Sequence, residues 1–242
     1  MNSLPANNPD WLVKKIIKMG GTISFYDFMN FALNDPINGY YGSAKAELGV
    51  RGDFVTSPSL SDDFAFLVGK QIEDWLIQFK NSFLSNQKLA VIEFGAGDGS
   101  FMSGLIKYFL ENNKNFLEGV SFVIIEPNKG MVEKQKNKLE DFLNLGIDIL
   151  WKGLEEIEEN NINGIVIANE VLDALPVERI TFSKEKLFRQ AVSIDKESDR
   201  LSLEEMPITS ELEKSIELAK SCLLYTSPSP RDTIRSRMPS SA

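Results

Sequence analysis

Glu93-Phe94-Gly95-Ala96-Gly97-Asp98-Gly99-Ser100 sets an acid and three glycines at alternate positions behind the apolar run Val91-Ile92. A helix-forming stretch, Phe101 to Leu110, follows. Glycine tolerates positive φ, so the chain can turn sharply here. Without side chains the loop lets a ligand reach the main chain, and the following helix points its N–H groups at the site. Such a loop holds a nucleotide-like small molecule. A second constellation is Ile167-Ala168-Asn169-Glu170-Val171-Leu172-Asp173-Ala174-Leu175-Pro176-Val177. An apolar strand runs into Asn169, Glu170 and Asp173, and open α/β sheets place their sites at such strand ends. Asn169 and Glu170 can meet a substrate nitrogen. The plainer alternative is that Asn169 caps a turn and Asp173 pairs with a lysine.

Dinucleotide folds show Gly-x-Gly-x-x-Gly with an acid about 20 residues on. Here the third glycine comes one step early, Glu93 precedes the first glycine by two positions, and the next strand-end acid, Glu126, lies further off. The pattern is similar to the first motif of class I S-adenosylmethionine (SAM) methyltransferases. That similarity implies cofactor contacts at Glu93, Gly95, Ala96, Gly97 and Gly99, with the glycines against the amino-acid part of SAM. It also implies that Glu126 accepts hydrogen bonds from the ribose hydroxyls, a task for a group with lone pairs and no donor. A tight turn without ligand, a solvated Glu126 and NAD binding stay open as alternatives.

The elements around these residues alternate strand and helix. Helices are expected over Trp11 to Met19, capped by Asp10 and ended by Gly20-Gly21, and over Phe25 to Asn34, capped by Ser24. A turn-rich loop runs from Asp35 to Pro58 and holds Tyr40, Tyr41, Phe54 and Thr56, which argues for an ordered, functional loop. A long helix, Ser61 to Phe79, precedes strands at Leu89–Phe94 and Ser121–Glu126, each followed by a helix (Phe101–Glu111, Lys129–Phe142). Ile147–Leu150 and Gly164–Asn169 are further strands. This order means a parallel, doubly wound α/β sheet. Ile180–Phe182 and Leu187–Ile194 read as a hairpin around Lys184-Glu185-Lys186, and Leu203–Ala219 as an acidic stretch ending in a helix.

Composition excludes several classes of function. The chain has 242 residues, no histidine, one cysteine and a formal net charge of -9. Generic attraction to nucleic acid or anionic membrane is not expected. No apolar run approaches the roughly 18 to 20 residues of a membrane span. The first twenty residues carry neither a secretory nor a transit signal, so a cytoplasmic location is expected. Without histidine, triads and His metal sites are out, and no metal is expected. Catalysis falls to carboxylates, amides, hydroxyls, lysine or positioning.

Residues 222–242 differ in style. Cys222-Leu223-Leu224-Tyr225-Thr226-Ser227-Pro228-Ser229-Pro230-Arg231-Asp232 resembles the translation of a sequencing-library adapter. We read the segment as non-native and leave it out of the fold. The division expected is an N-terminal helical region with a cofactor lid loop over 1–80 and a SAM-binding Rossmann-like domain over 81–221. That domain carries a hairpin insertion at about 178–200.

With these residues in hand, the chain resembles the MidA-like SAM-dependent methyltransferases, a family with a mitochondrial member in complex I assembly, over about residues 20 to 195. The resemblance rests on Gly39-Tyr40-Tyr41-Gly42, Gly52-Asp53-Phe54-Val55-Thr56-Ser57-Pro58, the glycine loop, Glu126-Pro127-Asn128 with Gln135, and Asn169 to Val177. Asn128 stands where the family often has serine. The resemblance implies a class I methyltransferase sheet, completed in the family by strands beyond the acidic helix. It implies methyl transfer from SAM to a protein, at arginine, with a respiratory-complex subunit as a possible partner. Glu170 would orient the guanidinium, supported by Asn169 and Asp173, while Asp53, Thr56 and Ser57 would belong to a lid. A non-catalytic assembly factor with this fold and a nucleotide-dependent oxidoreductase remain as alternatives.

Overall fold

The computed structural model describes residues 8–47, 49, 52–54, 56–82, 88–157, 163–183, 186–195 and 200–223. Val55, Lys184, Glu185 and residues 224–242, all singled out in the sequence, lie outside the described residues.

The glycine loop is positioned by a four-stranded parallel sheet. Its strands are β2 (Leu89–Phe94), β3 (Val120–Ile125), β4 (Ile149–Lys152) and β5 (Gly164–Ala168), in the order β4-β3-β2-β5. The chain steps outward from β2 to β4, then returns to the other side of β2. That reversal opens a crevice between the carboxyl ends of β2 and β5, the usual ligand position in open α/β sheets. The sheet and its order bear out the expected α/β class I methyltransferase fold.

Three helices cover one face: α4 (Asp63–Ser82), α5 (Ser100–Asn112) and α6 (Lys129–Asn144). Val91, Phe122, Ile124, Ile149 and Ile165 of the strands form one apolar core with Ile72 and Leu76 of α4, Leu105 and Phe109 of α5, and Leu139 and Phe142 of α6. Phe109 and Phe122 are fully buried. Truncating such a ring to alanine costs about 3–5 kcal/mol. The alternate strand residues Ile92, Val123 and Ile125 form a smaller cluster on the other face.

A second sheet is antiparallel. β7 (Lys186–Asp195) pairs with β8 (Arg200–Met206) along one edge, and with β6 (Ile180–Ser183) and then β1 (Thr22–Ser24) along the other. α1 (Asp10–Lys18) packs Leu12, Val13 and Ile16 against Ile23, Val192, Ile194 and Leu201, joined by Phe25, Phe28 and Phe31 of α2 (Phe25–Asn34). Arg189 pairs with Glu178. α7 (Ser210–Leu223) closes the described chain.

Several local expectations are met and a few shift. Ser24 caps α2, its Oγ accepting from the Asp27 N–H at 2.9 Å. Asp10 does not cap α1. Pro9 does, its carbonyl accepting from Leu12 and Val13, and Asp10 sits in the first turn where its charge suits the helix dipole. α4 begins at Asp63, with Ser61 Oγ accepting from the Asp63 N–H at 3.4 Å. β4 starts at Ile149, because the Ile147 N–H is spent on the Phe142 carbonyl at the end of α6.

Candidate active site

A cavity of about 490 Å³ lies in the crevice, within the roughly 300–1,000 Å³ of small-molecule sites. Glu93, Gly95, Ala96 and Gly97 line it from the loop after β2, Glu126 from the end of β3, and Asn169, Glu170 and Asp173 from the segment after β5. Thr56 reaches it from the long loop. Of the remaining sequence-predicted residues, Gly99, Asp53 and Ser57 stand off its wall. Gly99 precedes α5, Ser57 opens the short helix α3 (Ser57–Leu60), and Asp53 Oδ2 accepts from the Tyr40 hydroxyl at 2.6 Å.

The loop after β2 explains its glycines. Gly95 and Gly97 have φ of 59° and 55°, a region where side chains with Cβ are strained. A Cβ on Gly95 would also come within 3.2 Å of Val171 Cγ2. The Gly95 N–H is tied to the Ile125 carbonyl at 3.0 Å, which fixes the loop against β3. Asp98 turns back to accept from the Ser100 N–H and hydroxyl, and Lys138 Nζ reaches its Oδ2 at 2.5 Å. Lys138, Ser100 and the Ser100 N–H therefore hold its carboxyl below the usual range, although burial acts the other way.

Glu93 and Glu126 differ sharply. Glu93 is fully buried and its Oε2 has no hydrogen-bond partner. Burial, with the Asp98 charge adding to it, pushes its pKa up to about 8. Burial also raises the Glu126 pKa, but there the effect is partly offset by donors. Its Oε1 accepts from the Asn128 N–H at 3.0 Å and its Oε2 from Gln135 Nε2 at 3.1 Å.

The segment after β5 has another character. Glu170 is exposed and adopts a φ of 53°, one of two non-glycine residues with positive φ among those described. Neither its side chain nor that of Asn169 makes a hydrogen bond or ion pair among the described residues. A backbone held in this region signals a site where geometry outranks local energy.

Other wall residues were not picked out as site residues. Tyr41 and Phe54 come from the long loop, Asn34 from the end of α2, and Leu154 and Glu155 from the turn after β4. The aromatic content of the loop pointed to the first two. Nothing local pointed to Asn34 or Glu155. Asn34 joins the site through Asn128, whose Nδ2 donates to Asn34 Oδ1 at 3.2 Å across α2 and α6. Tyr41 is half-buried, and burial, with the Asp173 charge adding to it, raises its pKa.

The Methyltransf_28 family of S-adenosyl-L-methionine-dependent methyltransferases matches residues 67–234, a span that includes part of the segment read as non-native. The chain belongs to this family. It is 29% identical over 206 residues to the protein arginine methyltransferase NDUFAF7, mitochondrial, of Danio rerio, covering 77% of this chain and 47% of that protein. The human NDUFAF7 is 27% identical, with 81% and 48% covered. The chain thus spans about half the length of the curated relatives it matches. A crystal structure of a Burkholderia thailandensis superfamily member bound to S-adenosyl-homocysteine superimposes with a TM-score of 0.66 at 27% identity, covering 90% of this chain and 56% of that one.

The NDUFAF7 relatives are mitochondrial by name, which overturns the cytoplasmic location expected from the sequence. That expectation rested on a missing leader in the first twenty residues, and an absence there fixes no compartment. The family cofactor is SAM, as expected, and the wall fits it. The glycine backbone is open to a ligand, Glu126 presents a held carboxylate, and Glu93 offers a buried acceptor without a donor.

Proposed function

We propose that this protein transfers a methyl group from SAM to a protein, at a guanidinium nitrogen of arginine. The observation that carries this reading is the charge of the cavity. Five carboxylates line it, from Asp98, Glu126, Glu155, Glu170 and Asp173, beside the protonated carboxyl of Glu93, and no lysine or arginine does among the described residues. Of these, only Asp98 has a cationic partner among the ion pairs described. A cavity so charged favours a cationic cofactor and a cationic acceptor. The names of the NDUFAF7 relatives support arginine as that acceptor, and the protein modified is proposed to be a respiratory-complex subunit.

The backbone at Gly95, Ala96 and Gly97 would hold the amino-acid part of SAM, with Gly99 shaping the turn behind it, Glu93 Oε2 would take a donor from that part, and Glu126 would accept from the ribose. Bound SAM supplies an electrophilic methyl on sulfur, so transfer breaks an S–C bond, forms an N–C bond and releases one proton from the acceptor nitrogen. Glu170 orients the guanidinium and offsets its charge, and its exposed carboxylate hands the released proton to water. Asn169 and Asp173 support that orientation, since alignment is most of what such a displacement needs. Thr56, with Asp53 and Ser57 behind it, belongs to the segment that keeps water out.

The test is transfer of labelled methyl to paired peptides that differ only in arginine or lysine, with S-adenosyl-homocysteine binding measured in parallel. Label on the arginine peptide alone is expected. Label on lysine alone overturns the acceptor. Binding without transfer favours the non-catalytic assembly factor, and no binding overturns the cofactor assignment.

A further inference from the structure

Gln135 lies on α6, outside the cavity wall, and is fully buried. A buried amide survives only if its polar atoms are partnered. Here they are, and the partners are the two sides of the candidate cofactor site. Its Nε2 donates to the Gly97 carbonyl at 2.8 Å and to Glu126 Oε2 at 3.1 Å. Its Oε1 accepts from Trp151 Nε1 at 3.0 Å, which fixes which way the amide faces. The backbone of the same residue packs against the loop, where a Cβ on Gly99 would meet Gln135 Cα at 3.5 Å.

We propose that Gln135 is a positioning residue that sets the separation between the glycine loop at Gly97 and the carboxylate of Glu126. This deepens, and rests on, the proposed binding of SAM. One NH2 group bonded to both sides ties together the loop after β2 and the end of β3, which are otherwise joined by the backbone bond from the Gly95 N–H to the Ile125 carbonyl. Trp151, from β4, holds the amide from behind. A cofactor reaching from its amino-acid part to its ribose would span the distance that this amide fixes. A residue with no atom on the cavity would thereby control affinity.

The experiment measures S-adenosyl-homocysteine affinity by calorimetry and the thermal midpoint of the ligand-free chain, for the wild type, Gln135→Met, Trp151→Phe, Glu126→Gln and the double variant Gln135→Met/Glu126→Gln. Methionine keeps length and volume and removes the donors. Gln135→Met is expected to lose about tenfold in affinity, about 1.4 kcal/mol. Trp151→Phe removes the third bond but leaves both donors, and is expected to lower the midpoint while staying within about threefold of wild-type affinity. In the Glu126→Gln background, Gln135→Met is expected to lose distinctly less than in the wild type. Equal affinity losses for Gln135→Met and Trp151→Phe, or additive losses in the double variant, overturn the proposal and leave Gln135 a packing residue. If Gln135→Met does not fold, Gln135→Glu keeps the shape and turns the donor into an acceptor, and wild-type affinity in that variant overturns the proposal. A folded wild type that binds no S-adenosyl-homocysteine removes the SAM reading itself, a result distinct from all of these.

Discussion

The two walls of the cavity are built in opposite ways. On the β2–β3 wall, Glu126 accepts from Asn128 and Gln135, Gln135 holds Gly97 and Trp151, and Asp98 is met by Lys138 and Ser100. On the β5 wall, Asn169 and Glu170 have no side-chain partner among the described residues, and Glu170 and Asp173 are exposed. A wall whose polar groups are already satisfied by the chain is preorganised for one fixed ligand, because little order has to be imposed on binding. A wall whose polar groups are left free suits a second molecule that brings its own donors. On the proposed function, the difference would separate a constant cofactor from a variable acceptor.

Substitution on the organised wall gives the largest effects. Gly97→Val puts a β-branched side chain at a φ of 55°, strained by on the order of 1–3 kcal/mol, and intrudes where the ligand meets the backbone. The expected result is loss of S-adenosyl-homocysteine binding by more than about 100-fold (1.4 kcal/mol per tenfold), measured by calorimetry on folded protein. Glu126→Ala removes a held acceptor, and a hydrogen bond to a charged group is worth about 1.5–3 kcal/mol. It should therefore weaken binding by about 10- to 100-fold. If both variants bind as the wild type does, the two walls are not distinguished as described and the cofactor lies elsewhere.

Much of the organised wall was legible because it is local. Leu89–Phe94 is an apolar run ended by Gly95, so its bounds follow from composition, and the element lies at those residues. Ser24 and the helix it caps were legible for the same reason. What escaped depends on contacts distant in sequence. β1 is three residues long and exists because Thr22 to Ser24 pair with Ala191 to Ser193. The bonds of Gln135 link residues 97, 126, 135 and 151, and no window of sequence contains them. Asp53 stood in the motif next to residues that do line the cavity, but its carboxylate is taken by Tyr40. Motif membership could not show which way each side chain turns.

Glu93 makes the organised wall incomplete in one place, and pH reveals it. Its pKa rises from the ordinary 4.5 to about 8 on folding, so between these values the folded chain holds a proton that the unfolded chain has lost. Its contribution to stability is full below about pH 4.5 and is lost as pH rises to about 8. The ligand-free wild type should lose up to about 1.4 kcal/mol per pH unit across that window relative to Glu93→Gln. Denaturant unfolding at pH 5, 6, 7 and 8 measures the difference, and parallel profiles for the two proteins would show that Glu93 is not desolvated.

The smallest effect is expected on the free wall, and its sign is opposite. Glu170 occupies a φ of 53° without a side-chain hydrogen bond or ion pair among the described residues to hold it there. Glycine adopts this conformation without the Cβ penalty but gains entropy in the unfolded chain. The two terms leave Glu170→Gly more stable by up to about 1 kcal/mol, or neutral. Methyl transfer should fall steeply in the same variant while cofactor affinity stays within about twofold, a binding change of about 0.4 kcal/mol. Stability rising as activity falls is the signature of a residue kept for its site. A Glu170→Gly chain that is destabilised by more than about 1 kcal/mol would show that the residue serves the fold. The contrast between a wall held by the chain and a wall held open for an acceptor would then fail at its most exposed point.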